Sequence, residues 1–396
     1  MQQLRASNLP ISISFPRREV SRVLRVSRSI DRPMPLRAKE FLIHDQPGAA
    51  VGFGGYGTFD PKAVLTDFEG SAFAVQLPES LAYLSTGDVI SINLVSKQVS
   101  VLYRRSSPHN SFLLTERCNH FCLMCSQPPK DIDDSWLGEE VLEAIPLISE
   151  ETEQIGLTGG EPTLLGDTFF KIVQRFESYL PQTHLHILSN GRAFSGNEFA
   201  HRYAALGHTN AMLGIPIYSD MADIHNYIVQ ADGAFDETVK GILNLKRLRQ
   251  KVEVRVVIHQ QNYKRLPRLA EYLSRNLMMV DHVALMGLEI MGFTRANLDI
   301  LWIDPFDYQE QLEEAADILE NNRMSFSIYN HPLCIVPRVL WRHARKSISD
   351  WKNEYDVECS SCDVKDQCGG FFASAKFKRS EHIKAIRSQD SALSGG

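Results

Sequence analysis

The stretch Phe112-Leu113-Leu114-Thr115-Glu116-Arg117-Cys118-Asn119-His120-Phe121-Cys122-Leu123-Met124-Cys125 joins a short apolar run to three cysteines within eight residues. An apolar run of this length that ends in polar residues reads as a buried strand. The cysteines then lie at the strand's carboxyl end, and none follows until Cys334. A structural zinc site closes with four ligands and a disulfide needs two partners, so a set of three asks for something else.

Working outward, strand-like runs recur at 154–158, 184–188, 211–217, 252–258 and 282–285. Helical periodicity separates them near 139–148, 198–206, 236–249 and 266–277, and Phe169, Phe170, Ile172, Val173, Phe176 and Leu180 share one helical face. Six strand–helix alternations predict an α/β fold, a partial (β/α)6 TIM-like barrel with right-handed crossovers. Chemistry in such barrels sits at the carboxyl ends of the strands. The three cysteines, Gly159-Gly160-Glu161-Pro162, Ser189-Asn190-Gly191 and Ser219-Asp220 each follow a successive strand. The polar and glycine-rich features thus converge on one rim.

The chain has 396 residues, enough for two or three units, with 43% hydrophobic and 23% charged residues. A net charge of -6 argues against a nucleic-acid partner. No 18-residue apolar run predicts a membrane span, and the basic first 40 residues lack the apolar core of a secretory signal. Seven cysteines in two clusters point to metal binding in a reducing, cytoplasmic setting. The expected organisation is a basic, flexible arm over 1–40 that includes Arg17 and Arg18, then a small antiparallel β domain over 41–108. The barrel follows over 109–322, with a cysteine-rich domain and tail over 323–396. Gly52-Phe53-Gly54-Gly55-Tyr56-Gly57 reads as a loop without a phosphate-binding or dinucleotide pattern.

A cubane of four irons and four sulfides takes four thiolates, so three leave one iron open. That iron can accept the amino nitrogen and carboxylate of S-adenosylmethionine, whose reductive cleavage releases a 5′-deoxyadenosyl radical. Cys118-x3-Cys122-x2-Cys125 followed by Gly-Gly-Glu-Pro resembles the radical S-adenosylmethionine superfamily. The resemblance implies that Cys118, Cys122 and Cys125 ligate the cluster. It implies that Gly159, Gly160, Glu161 and Pro162 border the methionyl amino group, with Ser189 and Asn190 near ribose and carboxylate. Ser219 follows the fourth strand. Arg255, inside the fifth, is a candidate for the cosubstrate carboxylate, with a paired strand arginine as the other reading. Gly287-Leu288-Glu289-Ile290-Met291-Gly292 looks like the glycine-bearing segment that packs under adenine. The residue before the third cysteine, commonly aromatic and in touch with adenine, is here Met124. His120 and His225 read as satisfied loop histidines.

Cys334, Cys359, Cys362 and Cys368 offer four thiolates, a closed shell for either zinc or a second iron–sulfur cluster. Beside a radical barrel this resembles a twitch-type auxiliary cluster domain. The wording Thr115–Asn119, Cys122–Pro129, Tyr329-Asn330-His331-Pro332-Leu333-Cys334 and Cys368-Gly369-Gly370-Phe371-Phe372 resembles the His-Xaa-Ser system radical maturases of the HxsC type, over about 84–376. That implies a precursor polypeptide substrate, a second radical maturase and an electron donor such as flavodoxin or ferredoxin. The unexplained β unit over 41–105 is an expected place for precursor recognition. A radical enzyme acting on a nucleotide or pterin precursor would keep every barrel motif, and a non-catalytic metal-binding scaffold would keep the cysteines.

Overall fold

The computed structural model describes residues 4–13, 21–44, 51–67, 72–346 and 354–387. The chain forms two compact units, Met1–Leu114 with Asp134–Leu157 and Leu165–Leu185, and Thr115–Asp133 with Thr158–Leu164 and His186–Gly396.

The first unit carries an eight-stranded sheet of β1 (Arg5–Ala6), β2 (Ile11–Ile13), β3 (Ser21–Ser27), β4 (Glu40–Ile43), β5 (Gly55–Thr58), β6 (Phe73–Gln76), β7 (Val89–Asn93) and β8 (Gln98–Tyr103), in the order β1-β8-β7-β3-β4-β5-β6-β2. The arm expected over 1–40 is corrected: its described residues supply three of these strands. Leu24 and Val26 are buried in the core, and Arg25 and Arg32 both donate to the buried Glu40 carboxylate, at 2.7 and 2.6 Å. Arg25, one of the basic residues behind that expectation, is therefore ion-paired, while Arg22 donates to Gly54 O and Arg28 to Ala82 O and Leu84 O. Arg17 and Arg18 lie outside the described residues.

The antiparallel expectation holds for β7–β8 but not for the unit as a whole. The pairs β3–β4, β4–β5 and β5–β6 are parallel. Of the expected glycine loop, Gly52–Gly54 stay outside regular structure, while Gly55–Gly57 belong to strand β5. A Cβ on Gly55 would lie 2.5 Å from the Phe73 ring, and one on Gly57 would lie 2.5 Å from Phe41. Those rings cover bare backbone, which is why glycine is tolerated inside a strand. Phe41 and Phe73 stack at 6.3 Å, and burying each contributes roughly 1.5–3 kcal/mol.

The first unit also contains β9 (Asn110–Leu113), β10 (Gln154–Thr158) up to Leu157, and helices Ser135–Ala144 and Asp167–Tyr179. The expected boundary at 108 thus falls inside it. Glu140 accepts from Ser91, and the Tyr103 hydroxyl pairs with Thr152 at 2.7 Å.

The second unit holds most of β11 (His184–Leu188), then β12 (Ala211–Pro216), β13 (Lys251–Ile258), β14 (His282–Gly287), β15 (Phe326–Tyr329) and β16 (Ala344–Arg345) in consecutive order. Pairings from β12 to β16 are parallel, as the strand–helix alternation predicts. The two last strands extend the sheet past the expected limit at 322. Residues 388–396 of the tail lie outside the described residues. Among the described residues no helix is long and apolar enough to cross a membrane.

Candidate functional site

All the residues singled out for cofactor chemistry belong to the second unit. The loop carrying Cys118, Cys122 and Cys125 is fixed from two sides by backbone bonds. Phe121 N–H and Leu123 N–H donate to Val229 and Ile228 carbonyls, at 3.0 and 2.9 Å. On the other side Phe293 N–H reaches Cys125 O at 2.8 Å, Asn297 Nδ2 reaches Leu123 O at 2.8 Å, and Thr294 Oγ1 reaches Met124 O at 3.2 Å. Gly292, at φ +52°, passes so close that a Cβ there would sit 2.3 Å from Cys125 O. A side chain is excluded twice over, by conformation and by space. Gly292 therefore packs on the cysteine loop, whereas Gly287, Leu288 and Ile290 of the same segment line a neighbouring cleft.

The glycine pair after β10 serves the same loop. Gly160 N–H and Glu161 N–H donate to Thr115 O and Arg117 O, each at 2.8 Å. A Cβ on Gly160 would lie 2.1 Å from Arg117 O and 3.0 Å from the Cys118 Cβ. The close approach that the Gly-Gly pair permits is thus first of all an approach to the cysteine loop.

Glu161 is 1% exposed. Its Oε1 accepts from Thr163 N–H at 3.1 Å, Thr163 Oγ1 at 2.6 Å and Ser189 Oγ at 2.8 Å, while Oε2 accepts from Asn190 N–H at 2.6 Å. Burial pushes its carboxyl upward against the pull of these four donors. Both oxygens are engaged in joining two strand ends. Asn190 Nδ2 donates to Asn119 Oδ1 at 2.6 Å, which carries the network into the cysteine loop. Asn119 was not singled out by spacing; only its place between two cysteines hinted at it. Pro162 starts a buried turn beside Glu161.

Met124 is 7% exposed and buried with Tyr218, Ile228, Val229, Ala234 and Leu301, with Cys122 packed against the group. Ser219 is buried and accepts from Met221 N–H at 3.2 Å, and its neighbour Asp220 forms a two-pronged pair with Arg265 at 2.7 and 2.6 Å. Arg255 donates to Glu253 Oε1 at 2.8 Å and to Met286 Sδ at 3.2 Å. Burial alone would raise the Glu253 carboxyl, but His186 and Arg255 outweigh it and hold the group at about 2. The bland alternative for Arg255, a paired strand arginine, describes its contacts in this state. His120 and His225 are buried, and burial holds them at about 3 and about 4. Neither is satisfied as expected, since each Nε2 lacks a partner among the described residues, and His225 lies on the helix Ala222–Val229 instead of a loop.

The three thiols are half-buried and feel one another electrostatically; burial pushes Cys118 up to about 11 and raises Cys122 and Cys125 as well. A bound metal reverses that by deprotonating the thiol outright. His120 N–H already donates to Cys118 Sγ at 3.4 Å. Among the described residues no three His, Cys, Asp or Glu side chains are gathered as a single ion requires. Three thiolates within one loop are the donor set that a cubane with one open iron takes.

Cys334, Cys359, Cys362 and Cys368 line one cavity with Tyr355, Gly370 and Phe371. Cys368 Sγ accepts from Leu333 N–H and Gly370 N–H at 3.3 and 3.4 Å, and Cys362 Sγ from Ile386 N–H at 3.4 Å. Beside them, a cleft is lined by the strand ends at Ile258 and Gly287, by Asn330, Trp302, Phe371 and Lys378 among others. No carboxylate residue lines it.

Residues 112–273 match the family model described as the radical SAM superfamily. A curated relative, pre-heme d1 synthase of Dinoroseobacter shibae, is 26% identical over 258 residues, which is 60% of this chain; the chain spans 61% of that protein's length. Similar solved structures include Streptococcus suis SuiB bound to S-adenosylmethionine, 14% identical with a TM-score of 0.46 over 57% of this chain and 51% of that one. Coproporphyrinogen III oxidase (HemN) of Escherichia coli is 13% identical with a TM-score of 0.42, over 55% and 54%. The matched segment contains Cys118, Cys122, Cys125, Gly159, Gly160, Glu161, Ser189, Asn190, Ser219 and Arg255.

Proposed function

We propose that Cys118, Cys122 and Cys125 hold a 4Fe-4S cluster with S-adenosylmethionine at its fourth position, and that the enzyme modifies a precursor polypeptide of the His-Xaa-Ser repeat type. Cluster and cosubstrate together supply a 5′-deoxyadenosyl radical that abstracts hydrogen from substrate. The observation that carries the reading is the clamping of three thiols into one loop by Gly160, Gly292 and the Glu161–Asn190–Asn119 network. This chain's residues fix the thiol positions before any cluster arrives, which lowers the ordering cost of assembly. Met124 packs beneath the loop, and Ser189 and Ser219 line the strand ends beside it. Arg255 can serve the cosubstrate carboxylate only by exchanging its bond to Glu253.

The second set, Cys334, Cys359, Cys362 and Cys368, is proposed as an auxiliary iron–sulfur site, with zinc as the alternative filling. N–H donors to two of its sulfurs favour anionic thiolates in either case. The apolar cleft beside it suits an amino-acid side chain of a peptide. An electron donor, a second maturase and recognition of the precursor by the N-terminal sheet belong to the same proposal.

Anaerobic reconstitution tests it: about eight irons are expected, falling to about four in the Cys118/Cys122/Cys125→Ala variant, with 5′-deoxyadenosine formed only by the parent. Unchanged iron in the variant rejects the site. One observation favours a second reading, action on a small molecule: the relative at 26% identity is named for pre-heme d1. Incubation with precursor peptide against tetrapyrrole, scored by consumption of S-adenosylmethionine, separates the two.

A further inference from the structure

Tyr218 is 8% exposed, and its hydroxyl has no hydrogen-bond partner among the described residues. Its surroundings make this notable. The backbone N–H donates to His225 Nδ1 at 3.2 Å and the carbonyl accepts from Asn262 Nδ2 at 3.1 Å, so the residue is tied at both ends. The ring stacks on His225 at 5.8 Å and lies 6.5 Å from His259. It shares its apolar cluster with Met124, and Cys122 packs against that cluster.

Both neighbouring imidazoles use Nδ1 as an acceptor, from Tyr218 N–H and from Gln261 N–H at 3.2 Å. As neutral rings they carry their proton on Nε2, and both Nε2 atoms are buried without a partner. Two buried donors therefore flank this ring unanswered, and the Tyr218 hydroxyl, which is not fully shielded from solvent, adds a third that no described side chain accepts. Buried donors without a partner are exceptions in folded proteins, and such exceptions mark a site awaiting a ligand. An ordinary tyrosine hydroxyl is protonated at neutral pH and so can donate; Cys122, Cys125, Cys118 and Arg255 all lie within electrostatic reach of this one.

We propose that the Tyr218 hydroxyl donates a hydrogen bond to the anionic group assembled at Cys118, Cys122 and Cys125, while His225 and His259 hold its ring in place. The proposal rests on the cluster reading above. The acceptor is an anion in either of two forms, a cluster or cysteine sulfur or the cosubstrate carboxylate.

The test uses the full chain, reconstituted anaerobically, with Tyr218→Phe. Ring packing survives that change, so iron content and melting temperature are expected to match the parent. If the acceptor is the carboxylate, the dissociation constant for S-adenosylmethionine rises about tenfold, the weight of one charge-assisted bond. If it is sulfur, the cluster's reduction potential falls while cosubstrate affinity is kept, because hydrogen bonds to sulfur raise the potential. A second variant with 3-fluorotyrosine at 218 retains the ring and strengthens the donor, and should move the same quantity the other way. An iron-loaded Tyr218→Phe protein with both quantities unchanged overturns the proposal and leaves the cluster reading standing. Parent protein without iron at the three cysteines overturns both.

Discussion

The two cysteine sets are built in opposite ways. Cys118, Cys122 and Cys125 sit in eight residues of loop, and regular elements on both sides bond to its backbone. Cys334, Cys359, Cys362 and Cys368 are spread over 35 residues, on short 3-10 turns at Leu333–Ile335, Val357–Ser361 and Lys365–Gln367. The first set is organised by the fold. Among the described residues the second set is carried by short 3-10 turns, and small cysteine-rich segments take much of their stability from the metal. The difference teaches that the same ligand chemistry can be a passenger on a scaffold or part of the scaffold.

The largest expected effect separates the two. Replacing Cys118, Cys122 and Cys125 with alanine should abolish 5′-deoxyadenosine formation while the melting temperature changes little. Cys359→Ala with Cys362→Ala should instead open the C-terminal segment to limited proteolysis and remove about four irons, or the zinc, from the protein. Equal protease resistance in both variants would erase the distinction.

Next comes Gly160→Ala. Its methyl has no room beside Arg117 O, so the cysteine loop must move. A cost of about 2–4 kcal/mol is expected, visible in denaturant unfolding together with sub-stoichiometric iron at the first set. Gly196→Ala is the control, since its φ of -76° suits any residue and a Cβ there meets nothing closer than 3.4 Å.

The smallest effect concerns pH. Glu253 is held at about 2 in the fold, below its ordinary 4.5, so its contribution is present above the ordinary value and disappears as pH falls from about 4.5 toward about 2. Glu253→Gln should flatten that part of the acid-unfolding curve. It should also release Arg255, and tighter S-adenosylmethionine binding in this variant would support the carboxylate role of Arg255.

Much of the barrel was legible in the sequence because its strands are continuous apolar runs separated by amphipathic helices; all six expected strands are present, with no end displaced by more than two residues. Strands β15 and β16 escaped notice because they are four and two residues long. The N-terminal sheet was harder to read. Gly55–Thr58 lacks the β-branched signature of a strand and is held by Phe41 and Phe73 from neighbouring strands, which spacing cannot show. The arm was misread because charge was taken for solvation, while Arg25 and Arg32 neutralise Glu40.

At the site, the thiols and the glycine pair were visible as motifs, but not what the glycines approach. Glu161 was expected to face a ligand, and its four donors come from Thr163, Ser189 and Asn190. Tyr218 was invisible for a simpler reason. A tyrosine at the end of an apolar strand looks like core until the absence of a partner for its hydroxyl is seen.

The most direct measurement is the electron paramagnetic resonance spectrum of the anaerobically reduced protein, with and without S-adenosylmethionine. Addition should change the signal of the cluster at Cys118, Cys122 and Cys125, and that change should vanish in the triple alanine variant. A reduced, iron-loaded protein whose spectrum ignores S-adenosylmethionine would contradict the vacant ligand position on which the reading depends.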